Sequence, residues 1–197
     1  MQTTKKKRIS MTTNIPKLFA YAASTSRNSI NKQLVTYAAS MLTGYSIEIA
    51  DLNDYELPLF SVDVEQELGQ PDNAVRFFNK VGEADALLVS LAEHNGNYTA
   101  AYKNLFDWCS RINPKVYQDK PLVLLATSLG ARGAKSVLDL ANNTVSFFGA
   151  DLRGTLSVPS FHENFQDGSI TTSELDEALL KVVNELSPKR LESLTDS

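Results

Sequence analysis

Two runs of apolar residues constrain this chain more than any other feature. Residues 85–92 read DALLVSLA and residues 120–128 read KPLVLLATS. Neither alternates polar with apolar, so each is expected to be a strand buried on both faces, the mark of a parallel sheet covered by helices. Three further segments read as strands: PKLFAYAAS (16–24), the alternating YSIEIADL (45–52) and DLRGTLSVP (151–159). Between the first two, residues 28–43 carry apolar side chains at 30, 34, 35, 38 and 42, the spacing of a helix that Gly44 stops. Helices are likewise expected over 72–84, capped by Asp72 or Asn73, and over 98–111, 133–150 and 171–187. Thr172 or Ser173 leads the last of these into an acidic first turn. Residues 55–71, which include Pro58 and Pro71, read as irregular. Five alternations of strand and helix define an α/β chain with a parallel sheet between two helix layers.

With 197 residues, 43% of them hydrophobic, the chain suits one domain over 16–188 with a sizeable core. A net charge of −4 argues against nucleic acid or an anionic membrane as the partner. No run approaches the roughly 18 apolar residues of a membrane span. The single cysteine, Cys109, excludes an internal disulfide and a cysteine metal cluster, and a reducing, cytoplasmic setting is expected. Residues 1–15 contain four consecutive basic residues, Lys5 to Arg8, with no apolar stretch behind them. They read as a disordered leader rather than a secretion signal, with Met11 as an alternative start. Residues 189–197 read as a flexible tail.

In parallel sheets of this kind ligands sit beyond the carboxyl ends of the strands. Three strand-end loops therefore matter. The first, STSRNSIN (24–31), leads into a helix N-terminus, where free N–H groups and the positive end of the helix dipole attract an anion. Ser24, Ser26, Ser29 and Asn31 can donate hydrogen bonds to phosphate oxygens, and Arg27 supplies charge. A cap alone needs one such residue. The second loop places Glu93, His94, Asn95, Gly96 and Asn97 in a row; the third is SLGARGAK (128–135), whose glycines permit close backbone approach to a flat ligand. The chain has no GxGxxG, Walker, GxSxG or HExxH pattern, so dinucleotide-fingerprint, triad and zinc-protease chemistry are not expected, and no metal site is read. Of the two histidines, His162 reads as a surface or packing residue, and Cys109 as a small apolar one.

These loops resemble a known family. ASTSRNSINKQL is similar to the phosphate loop of NADPH-dependent FMN reductases, G-S-x-R-x-x-S-x-N, with Arg27, Ser29 and Asn31 in register. SLAEHNGNYTAAYKNLFDW resembles their second signature, with Glu93, Asn95, Lys103, Asn104, Asp107 and Trp108 matching. The resemblance spans about residues 17–187. It implies a flavodoxin-like fold with strand order 2-1-3-4-5, non-covalent FMN, and NADPH or NADH as co-substrate. Electrons would pass by a ping-pong mechanism to a quinone, azo dye or chromate, and the assembly would be a homodimer or homotetramer. By matched position, Ser24, Ser26, Arg27, Ser29 and Asn31 would hold the FMN phosphate. Glu93, His94, Asn95 and Gly96 would run along the flavin ring, and Ser128, Gly130 and Gly133 would border it. Lys103, Asn104, Asp107 and Trp108 look structural or interface-forming. The chain departs from the family pattern at Ala23 (a glycine there), Ala92 (a proline) and His94 (a tyrosine). Imidazole titrates near neutral pH and phenol does not, so His94 is the candidate modulator of the acceptor. Two other readings are a non-enzymatic flavodoxin-type electron carrier, whose T-x-T-G-x-T loop is absent here, and a flavin-free regulatory module of the same fold.

Overall fold

The computed structural model describes residues 15–188, so the leader expected over 1–15 (Ile15 apart) and the tail over 189–197 lie outside the described residues. Five strands form one sheet: β1 (Lys17–Ala22), β2 (Ser46–Ala50), β3 (Ala86–Leu91), β4 (Lys120–Thr127) and β5 (Ala150–Val158). Their spatial order is 2-1-3-4-5 and every pairing is parallel. The two runs that defined the expectation, β3 and β4, lie side by side in the interior of the sheet, β3 beside β1 and β4 beside β5. Every residue of β3 is buried.

The two-residue period of a strand sorts its side chains to opposite faces. Along β1, Phe19, Tyr21 and Ala23 enter one core, with Leu87, Val89 and Leu124. Leu18, Ala20 and Ala22 enter the other, with Leu88, Val123 and Leu125. The first core is closed by α3 (Asp72–Glu83), α4 (Ala100–Ile112) and α5 (Lys135–Thr144). The second is closed by α1 (Ile30–Ser40) and α7 (Ser173–Asn184). The remaining helices are α2 (Val62–Leu68) and the single turn α6 (Phe161–Asn164).

Several local expectations need correcting. The segment 55–71 is not irregular throughout: it contains α2, which no buried side chain betrays as a periodic stripe. Its signal was the cap. Ser61 accepts from the Val64 N–H, and Asp63 and Glu65 follow in the first turn. The α3 cap is Pro71, whose side chain has no acceptor to offer; Asp72 and Asn73 lie inside the helix, and the Asn73 amide donates to the Glu56 carbonyl at 2.8 Å. Helix α4 begins at Ala100, not 98, and α5 ends at Thr144, a 3-10 turn (Val145–Phe148) carrying the chain to Gly149. Asn104 and Trp108 of α4 hold the approach to α2. The Asn104 Oδ1 accepts from the Phe60 N–H at 2.8 Å, and the Trp108 indole donates to the Pro58 carbonyl at 2.8 Å.

Cys109 lies in the first core, fully buried, and burial pushes its thiol up to about 12. The thiolate is the reactive form. Ellman's reagent at pH 8 should therefore label no thiol in the native protein and one per chain in urea. Rapid native labelling would show that α3 and α4 open far more often than this packing implies.

Candidate active site

The chain emerges from β1 at Ala22 into the first loop, and the next elements fix its geometry. Ser29 caps α1, its hydroxyl accepting from the Lys32 N–H at 3.2 Å. The Thr99 hydroxyl ties the loop's base to α4, donating to the Ala23 carbonyl at 2.9 Å and accepting from the Tyr102 N–H. Among the described residues, the N–H groups of Arg27, Asn28, Ile30 and Asn31 have no acceptor, as expected of a helix start. Lys32 is engaged by Asp51 at 2.5 Å, and that hydrogen bond, with a further one from the Asn53 N–H, holds the Asp51 carboxyl below its usual range. Arg27 has no ion-pair partner among the described residues and is exposed in the turn.

The second loop is a tight β-hairpin. Glu93–His94 pairs antiparallel with Asn97–Tyr98 across a two-residue turn in which Asn95 (φ 54°) and Gly96 (φ 77°) are both left-handed. That is the conformation Asn-Gly favours. The dipeptide was in the sequence, and Glu93, His94 and Asn97 beside it drew attention to the loop's polarity rather than to its hairpin signal. The Glu93 carboxylate does not face outward alone: its Oε2 accepts from the Val137 N–H at 2.9 Å. Helix α5 opens at Ala134, left-handed and without a side-chain cap, so Glu93 supplies the missing acceptor from another element.

The third loop runs from Ser128, whose hydroxyl accepts from the Ala134 N–H at 3.1 Å. Gly133 (φ 57°) packs against the protein itself. A Cβ there would lie 2.3 Å from the Ser157 hydroxyl and 2.9 Å from the Pro159 nitrogen, whereas one at Gly130 would meet nothing within 4 Å.

The three loops enclose a cavity of about 490 Å³ at the carboxyl ends of β1, β3 and β4. It brings together Ser24, Ser26, Ser29, Asn31, Glu93, His94 and Ser128. Arg27, Asn95, Gly96, Gly130 and Gly133 lie in the same loops but not on its lining. Asn31 is buried, and its amide is committed inward. Oδ1 accepts from the Ser90 hydroxyl (2.8 Å) and the Thr127 N–H (3.2 Å), and Nδ2 donates to the Thr127 carbonyl (3.2 Å). His162, on α6, also lines the cavity, as do Asn28, Leu129 and Thr127. Nothing near His162 in the sequence marked it; only the return of the chain past β5 brings it to this rim. Among the described residues no cluster of His, Cys, Asp or Glu could hold a metal, and no helix is long and apolar enough to cross a membrane.

A five-stranded parallel sheet in this order, with a cleft over its carboxyl edge and a helix N-terminus opening into it, defines the flavodoxin-like class. The model of the NADPH-dependent FMN reductase family matches residues 16–163, and the chain belongs to that family. By that membership it is an oxidoreductase of the NADPH-dependent FMN reductase type. A 2-hydroxy-1,4-benzoquinone reductase of a Burkholderia species is 34% identical over 119 residues, 59% of this chain and 63% of that one. An NAD(P)H-dependent FMN reductase of Pseudomonas aeruginosa is 38% identical over 90 residues, 46% of this chain and 47% of that one. The aligned stretch thus spans less than two thirds of either relative. In fold, the chain is similar to the flavoenzyme NAD(P)H:(acceptor) oxidoreductase FerB from Paracoccus denitrificans. The TM-score is 0.73 at 22% identity, covering 87% of this chain and 95% of that one.

Proposed function

We propose that this chain is an FMN-containing oxidoreductase that passes electrons from NADH or NADPH, in a ping-pong cycle, to a quinone or another flat acceptor such as an azo dye. The observation that carries this reading is the donor-rich, carboxylate-free character of the first loop. Residues 24–31 hold no carboxylate and three serine hydroxyls, and among the described residues the N–H groups of Arg27, Asn28, Ile30 and Asn31 have no acceptor and the one cation, Arg27, has no ion-pair partner. That set fits a dianionic phosphate and no cation. The cavity's size falls within the range of about 300–1,000 Å³ typical of small-molecule sites. FMN, when bound, supplies the hydride and electron transfer.

In this reading Ser24, Ser26, Ser29, Arg27 and the backbone N–H groups of Arg27, Asn28, Ile30 and Asn31 hold the phosphate. Asn31 fixes the start of α1 to β3 and β4 and acts as a positioning residue. Glu93 positions the hairpin against α5, which keeps His94, Asn95 and Gly96 along the ring. Ser128 and Gly130 border the ring from the third loop, and Gly133 anchors that loop. His94 and His162 line the cleft where an acceptor would stack, and His94 is assigned the modulating role. The names of the relatives support quinones as the acceptor class, and the family resemblance supports a cytoplasmic homodimer or homotetramer.

The test is an absorbance spectrum of the purified chain after incubation with FMN, repeated anaerobically with NADPH or NADH and then with a quinone. Oxidised-flavin absorbance that bleaches with the nicotinamide and returns with the quinone is expected. Protein that stays colourless would refute flavin binding, and colour that neither nicotinamide bleaches would refute the reductase. Arg27→Ala should weaken FMN binding by about tenfold, the worth of one charge-assisted hydrogen bond. Unchanged affinity by flavin-fluorescence titration would remove Arg27 from the site.

A further inference from the structure

A second cavity, of about 320 Å³, lies between α4 and α5 and shares no lining residue with the cleft. Its walls include two stripes at four-residue spacing, which puts each on one helix face, and Lys103 and Asp107 of α4, paired with each other, also line it. Tyr102, Phe106 and Ser110 of α4 form one stripe; Leu140, Thr144 and Phe148 of α5 and the following turn form the other. Neighbouring helices on one sheet face normally close such stripes against each other. Here Phe106 and Phe148 touch edge-on at 4.8 Å, and the space beside them stays open.

The chemistry of that space is narrow. Tyr98 covers it and packs on Tyr102 with ring centroids 5.5 Å apart, and Tyr117 packs against Phe106 at 5.7 Å. At its inner end the buried hydroxyls of Tyr102 and Tyr117 bond each other at 2.9 Å. Burial pushes both phenols well above their ordinary range, so this end offers neutral O–H groups and no charge. Between the rings of Tyr98, Tyr102, Phe106 and Phe148, water meets ring faces and finds few partners. Tilted rings at these spacings instead suit the face and edge of another aromatic ring.

We propose that this cavity is a second binding site, separate from the flavin cleft, for a flat one- or two-ring aromatic molecule bearing a hydroxyl or carbonyl oxygen. Its occupancy bears on the cleft through the hairpin. Glu93 and His94, on one strand, line the cleft, while their cross-strand partners Tyr98 and Asn97 cover the second cavity. Glu93 also holds the N-terminus of α5, one wall of that cavity.

The test titrates 2-naphthol, which is flat, hydroxyl-bearing and unable to accept hydride, into the full chain saturated with FMN. Calorimetry should give one site per chain, and amide and aromatic NMR shifts should centre on Phe106, Leu140 and Phe148. Leu140→Trp fills the cavity and should weaken 2-naphthol at least tenfold with FMN affinity unchanged. Ser110→Trp, from the opposite wall, makes the same test if the first variant does not fold. Absent binding, including through burial of the cavity against a second copy, would overturn the proposal. So would shifts confined to His94, Ser128 and His162, which would place the probe in the cleft, or unchanged affinity in both tryptophan variants.

Discussion

Asn31→Ala should lower the unfolding free energy by about 3–5 kcal/mol, because it deletes three hydrogen bonds and leaves their buried partners unpaired. Those partners are the Ser90 hydroxyl and both backbone groups of Thr127, on β3 and β4. No other side chain ties the start of α1 to two interior strands, among the hydrogen bonds of the described residues. Ser90→Ala removes only the 2.8 Å bond and should cost about 1 kcal/mol. Asn31→Asp keeps the acceptor but cannot donate to the Thr127 carbonyl, and it adds a buried negative charge beside the proposed phosphate site. That variant should lose FMN affinity out of proportion to its stability. Urea unfolding with an unchanged m-value checks the first result. A loss below 1 kcal/mol for Asn31→Ala would show that this network is not what holds α1 in place.

Gly133→Ala should cost about 3 kcal/mol, the sum of a left-handed alanine and an overpacked contact. The new Cβ would meet the Ser157 hydroxyl and the Pro159 backbone. Ser157 can rotate, at the loss of its 2.7 Å bond to the Gly133 carbonyl. Pro159 cannot move freely, because the next two N–H groups are fixed: Ser160 donates to Gly130 and Phe161 to Ser128, each at 3.0 Å. The same clamp carries His162, so the variant should disturb the cleft as well as the fold. Gly130→Ala is the control. Nothing lies within 4 Å of that position, and a change within about 0.5 kcal/mol is expected there. Equal losses at 130 and 133 by thermal melting would mean that loop three is sensitive to glycine replacement in general, not to this contact.

These two residues also show where reading the sequence stops. Asn31 looked like a phosphate ligand because serine, arginine and asparagine crowd one helix start, and composition cannot say which of them is already hydrogen-bonded. Gly133 looked like a place for a ligand to approach, and what approaches is the chain's own β5. Helix α2 escaped notice for a different reason. It buries no side chain, so it has no apolar stripe, and only its Ser61 cap and acidic first turn mark it.

The chain's own residues determined the architecture. Continuous apolar strands demand burial on both faces, and helical spacing between them leaves a parallel sheet between two layers as the packing. The strand-end loops and their hydrogen-bond donors were legible for the same reason, since each is contiguous in sequence. Only the tertiary structure decided which of those donors remain available. Glu93 caps a helix that starts at Lys135, Asn31 bonds Thr127, and His162 returns to a rim built mainly by residues 24–31, 92–94 and 127–129. Each of these pairings joins segments far apart in the chain, and a hydrogen bond's partner is set by where the backbone returns, which no local pattern encodes.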